Sequence, residues 1–109
     1  MNYQRGDIVI LVAPGDFGKP RPAVIIQADA FNDEAPSYTV CLFTTELRET
    51  PMIRVTVVPT AKNGLKEPAQ IMSDKVMSVK PERIKQKVGS LSALLMRDLD
   101  RSLRLWLGL

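Results

Sequence analysis

The sequence predicts a β-rich α+β domain: a small twisted sheet, mostly antiparallel, that curls into a half-open barrel and ends in one helix. Three observations carry this. Apolar residues fall in short β-branched runs bounded by turn residues, such as DIVILV at 7–12 and IRVTVVP at 53–59. Within the later runs apolar and polar residues alternate, as on a strand buried on one side. From Ser92 the period changes, and Leu95, Leu99, Leu103 and Trp106 recur three or four apart. The 109 residues hold no repeat, linker or low-complexity stretch, so the chain reads as one domain, 1–109.

The first strand is expected at 7–12. The loop APGDFGKP leads from it to a second strand at 22–28 (PAVIIQA). A polar connector at 32–36 precedes a third run, 37–45, in which Tyr38, Val40 and Leu42 alternate with Thr39, Cys41 and Phe43; this strand is expected near the centre. In 53–59 the apolar Ile53, Val55 and Val57 face inward, which turns Arg54 toward water or ligand. After a turn region at 60–67 around Asn63-Gly64, two short strands are expected at 69–72 and 75–79, broken at Ser73-Asp74. Pro81 suits the first position of a helix of one or two turns reaching Lys85. The leucine stripe of the last helix fits a lid packed on the barrel, or else a face for a partner.

Histidine is absent, which excludes Ser-His-Asp and His-pair chemistry. The single Cys41 can form no internal disulfide and, without histidine, no Cys/His metal cluster, so neither metal nor cofactor is expected and a reducing cytoplasm suits the chain. No membrane span or targeting leader is expected, because the apolar runs are strand-sized. A net charge of +3 permits an anionic partner without requiring one.

Arg21 stands between Pro20 and Pro22, whose rings restrict the backbone on both sides; its planar fork suits a phosphate and a phosphorane-like transition state. An arginine opening a strand is otherwise an ordinary surface cation. Thr44 and Thr45 end the third strand on opposite faces, so only one of them joins Arg21. Asp74 is able to orient an arginine or take a proton, or is simply a turn residue. Phe17, beside Lys19 in the first loop, is the candidate for stacking on a base. Lys75, Lys80, Arg83, Lys85 and Lys87 against the lone Glu82 form a basic stretch, suited to a phosphate backbone or to plain solvation.

Arg5-Gly6-Asp7-Ile8-Val9, the Gly/Pro-rich loop, Arg21-Pro22-Ala23-Val24, the strand ending Phe43-Thr44, the segment from Asp74 to Val79 and Val88-Gly89-Ser90-Leu91-Ser92 follow one another in an order that resembles the MazF/PemK toxin family. The resemblance implies an SH3-like, partly open barrel of about five to seven short strands, working as a cytoplasmic homodimer. It implies a toxin of a type II toxin–antitoxin pair that cleaves single-stranded mRNA, is silenced by an acidic antitoxin, and meets operator DNA only through the antitoxin complex. It places the catalytic pair at Arg21 and Thr44, with Asp74 at a further acidic position; the basic position that accompanies this acid in some members is Met72 here. Phe17, Lys19, Thr45, Arg48, Arg54 and Lys75 would then contact RNA. The loops 13–20 and 46–52 would flank the channel, with attack by the substrate's own 2′-hydroxyl leaving a 2′,3′-cyclic phosphate and a 5′-hydroxyl. The ending Leu105-Trp106-Leu107-Gly108-Leu109 also resembles the tail of the CcdB-like toxins, which poison DNA gyrase through a C-terminal helix, and a plain nucleic-acid-binding barrel is a third reading.

Overall fold

Alternation along the strands sorts the apolar side chains onto two faces of a single six-stranded sheet. The computed structural model describes residues 2–109. Its elements are β1 (Asp7–Val12), β2 (Pro20–Ile25), β3 (Tyr38–Thr44), β4 (Arg54–Val57), β5 (Ala69–Val79), β6 (Ile84–Ser90) and α1 (Ala93–Leu107), with 3₁₀ turns at Asp29–Phe31 and Pro81–Arg83. The strand order is β4-β5-β3-β2-β1-β6, and every pairing is antiparallel. The edge strands β4 and β6 do not pair, so the sheet curls without closing, and β3 lies inside it as expected.

Ile8, Val24, Cys41, Phe43, Val57 and Ile71 form the core on one face, and α1 closes it with Leu99 and Leu103. Val9, Leu11, Ala23, Ile25, Val40, Leu42 and Met72 belong to the other face. Ser92 starts the helix by accepting the Leu95 N–H at 3.2 Å, and Gly108, at φ +73°, ends it in a left-handed turn. The stripe therefore packs as a lid, except at its end: Trp106 stays 51% exposed.

Two expectations need correction, and a third is met in part. The two strands placed at 69–72 and 75–79 are one strand, β5. A step of two residues on β3, from Cys41 to Phe43, spans five on β5, from Val76 to Ile71, so the supposed break is a bulge that bends a continuous strand. The helix expected from Pro81 to Lys85 is only the 3₁₀ turn, and Ile84 opens β6 instead. That strand lacks an apolar alternation because it is an edge paired only with β1, and Lys85, Gln86 and Lys87 are exposed. Arg54 turns to the expected face, where it lines a hollow, but it is only 9% exposed and is held in an ion pair rather than standing free in water.

Candidate active site

The prolines around Arg21 shape the site through what they withhold from the sheet. Pro20 to Val24 of β2 pair with β1, but β3 pairs only with Ala23, Val24 and Ile25. Two of the three preceding residues have no N–H, and the ladder to β3 stops there. Carried two residues past Ala23↔Leu42, the same register sets Arg21 opposite Thr44. Cross-strand neighbours share a face, so both side chains lie on the face that carries Ala23 and Leu42, away from α1. The sheet is open between them.

Arg21 is loosely held. Its Nη1 stands 3.4 Å from Asp16 Oδ2 and its Nη2 donates to the Phe43 carbonyl at 3.4 Å, both at the long end for hydrogen bonds. Its side chain keeps 28% exposure, so the guanidinium is available to an anion. Thr44 Oγ1 accepts the Glu46 N–H at 3.1 Å, which leaves its own O–H to donate elsewhere.

Two adjoining hollows share Arg21, Thr44 and Glu46. One, of about 550 Å³, is also lined by Lys19 and Thr45; the other, of about 530 Å³, by Arg48, Arg54, Asp74 and Lys75. In the second, four cations face two carboxylates, so its field favours an anionic guest. The structure thus gathers eight of the nine residues that the resemblance assigned to catalysis or RNA contact. Phe17 is the exception: fully exposed at φ 54°, it lines neither hollow. Of the basic stretch only Lys75 lines either hollow, and Lys80, Arg83, Lys85 and Lys87 do not.

Asp74 binds Arg54, not Arg21. Arg54 Nε donates to Oδ1 at 3.1 Å and Nη2 to Oδ2 at 3.2 Å, a two-pronged pair with side-chain exposures of 8% and 15%. Burial pushes the Asp74 carboxyl up, but the Arg54 hydrogen bonds and charge outweigh it and leave the carboxyl below its ordinary 3.8. Arg54 is the register partner of Met72, so a guanidinium reaches the acid from the neighbouring strand where the sequence carries methionine.

Sequence reasoning missed Asp16, Glu46 and Gln70. Asp16 lies in a loop dense in turn residues, where an acid carries no signal of its own. Gln70 did carry one: a polar residue inside the apolar run 69–72, and it is 5% exposed. Cys41 is fully buried in the core, away from both hollows, and that burial pushes its thiol up to about 12. Among the described residues no three His, Cys, Asp or Glu side chains stand together in a way that suits a metal ion, and no helix is long and apolar enough to cross a membrane.

Comparison with known proteins fits this geometry to a family. Residues 4–107 match the family described as the PemK-like, MazF-like toxin of type II toxin-antitoxin system. The chain belongs to the MazF/PemK toxin family. It is 40% identical over 107 residues, 97% of either chain, to the protein named "Probable endoribonuclease MazF" of Mycolicibacterium smegmatis. The MazF/PemK fold recurs in an endoribonuclease solved with its cognate antitoxin from a mycobacterial species, with TM-score 0.83, 19% identity and coverage of 98% of this chain and 96% of that one. It recurs again in MazE-MazF of Deinococcus radiodurans, with TM-score 0.82, 21% identity and coverage of 100% and 99%. The gyrase-poison alternative finds no support in these matches, and MazF/PemK membership decides against it.

Proposed function

We propose that this MazF/PemK-type toxin is an endoribonuclease that cuts single-stranded RNA at the open seam between β2 and β3, without a metal. The observation that supports this most is the register that sets Arg21 opposite Thr44 on a cation-rich hollow. In the reaction the 2′-hydroxyl of the substrate gives its proton to solvent as it attacks the adjacent phosphorus, and the bond to the 5′-oxygen of the next nucleotide breaks as that oxygen takes a proton from solvent. The products are a 2′,3′-cyclic phosphate and a 5′-hydroxyl. Arg21 neutralises the charge that develops on the phosphorane oxygens, and the Thr44 hydroxyl donates to one of them and fixes the in-line geometry.

Of the two roles open to Asp74, the geometry favours positioning. A carboxylate that spends both oxygens on Arg54 and titrates below its ordinary value is a poor base near neutral pH. Lys19, Thr45, Arg48, Arg54 and Lys75 line the path of the RNA backbone; Phe17, free in solvent two residues before Lys19, is the candidate for stacking on a base. Single strands suit the site, because a sheet face edged by the loops 13–19 and 45–53 accepts unstacked nucleotides but cannot enter the deep A-form groove. An acidic antitoxin that orders on binding would occupy the same cationic hollow, with the toxin as a homodimer in the cytoplasm and operator DNA reached only through that complex.

Arg21→Ala tests the reading. Loss of such a charge-stabilising donor is expected to lower the cleavage rate about 100- to 1000-fold, with the thermal midpoint nearly unchanged because the side chain is partly exposed and weakly bonded. Wild-type cleavage by a folded Arg21→Ala protein would contradict the assignment.

A further inference from the structure

One buried side chain joins the strand end that carries Thr44 to the loop that carries Arg48. Gln70 lies between Thr44 on β3 and Thr56 on β4 in the ladder, one row across three strands. Its side chain lies over that row. Oε1 accepts the Arg48 N–H at 3.0 Å, and Nε2 donates to the Arg48 carbonyl at 3.0 Å and to Thr56 Oγ1 at 3.1 Å. The amide therefore treats the Arg48 backbone as a neighbouring strand would, giving one donor and one acceptor to the same residue. Only an amide side chain of this length does that: glutamate lacks the donor and methionine lacks both.

The rest of the loop shows why this matters. Its far end is held by Ser102, which donates to the Met52 carbonyl at 2.6 Å, and its near end by the Glu46 N–H on Thr44. Between those anchors Gln70 is the side chain that fixes the loop, at the residue whose guanidinium lines the hollow. Among the described residues the Arg48 guanidinium, 56% exposed, bonds only to Glu46, which is itself exposed, so the backbone anchor is the firmer of the two restraints that aim it at the hollow.

We propose that Gln70 is a positioning residue for RNA binding, which clamps the Arg48 backbone so that its guanidinium meets a phosphate of the strand held at Arg21 and Thr44. This rests on the ribonuclease reading above. An unpaired amide left at this site would also cost stability, so the test reads an electrostatic quantity that a purely structural role would not move.

Binding of a single-stranded RNA carrying 2′-deoxyribose at the cleaved position is measured against salt concentration for the wild type, Gln70→Met, Arg48→Ala and the double variant. Each phosphate contact on a single strand contributes about 0.7 to the slope of log affinity against log salt. Gln70→Met and Arg48→Ala are each expected to reduce the slope by about 0.7, and the double variant to match Arg48→Ala alone. Gln70→Asn takes the place of Gln70→Met if circular dichroism shows that the latter has lost its fold; it adds no charge, is one methylene too short to reach the Arg48 backbone, and is expected to lower the slope likewise. A wild-type slope in folded Gln70 variants while Arg48→Ala loses its contact overturns the proposal and leaves the ribonuclease reading standing, as do additive losses in the double variant. Failure of the wild type to bind this RNA or to cut its all-ribose form strikes the ribonuclease reading itself.

Discussion

Arg21 and Asp74 illustrate two uses of charge on one surface. Arg21 is bonded at long range and partly exposed, so its charge remains free for a substrate. Asp74 spends its charge on Arg54 and stabilises the fold. The linkage follows from its lowered pKa: the stability it contributes is fully present above the ordinary carboxyl value of 3.8 and is lost as pH falls through the lower folded value. Asp74→Asn is therefore expected to cost about 1–3 kcal/mol at pH 7, below the range for a fully buried pair because some solvent reaches the carboxylate. The difference from wild type should shrink below about pH 4, and denaturant titrations across that range check it; a pH-independent difference would show that the pair contributes nothing through charge.

Among the elements, what was legible in the sequence tracks how local the signal is. Strands β1 and β3 came through because Asp7–Val12 and Tyr38–Thr44 are apolar on both faces and bounded by turn residues. The helix came through from the period that sets in at Ser92. The bulge in β5 did not, because Ser73 and Asp74 resemble a turn locally, and only Arg54 on the next strand and Ser102 on the helix, whose hydroxyl lies 2.6 Å from that of Ser73, explain why polar residues are tolerated there. Strand β6 was hidden by its exposed lysines. At the site, Arg21 and Thr44 were readable one at a time, and the register that joins them was not. Gly64 shows the same limit: its φ of +70° and a Cβ that would stand 2.3 Å from the Val88 carbonyl depend on β6, which lies far along the chain. Gly64→Ala is expected to lower stability by about 2 kcal/mol or more, through strain and a backbone clash. The thermal midpoint reports it, and an unchanged midpoint would mean that this loop does not pack on β6 as described.

The whole molecule separates its two faces by task. Helix α1 covers one, and the candidate site occupies the other, so the exposed end of the helix at Leu105 and Trp106 is free for contact with a second copy without obstructing RNA. The 12.1 kDa chain is expected to sediment at twice that mass. Trp106→Ala should leave cleavage by the folded protein within a few-fold of wild type, whereas a toxin acting through its terminal helix would lose its effect with Trp106 and keep it with Arg21→Ala.

The most direct test of the internal-attack chemistry uses two RNAs of one sequence, differing only in a 2′-hydroxyl or a 2′-hydrogen at the cleaved nucleotide, incubated with the protein in EDTA and mapped at their ends. The hydroxyl form should be cut to a 2′,3′-cyclic phosphate and a 5′-hydroxyl, and the hydrogen form should stay intact. Cleavage of both, or of neither, would contradict a seam in which Arg21 and Thr44 promote attack by the substrate on itself.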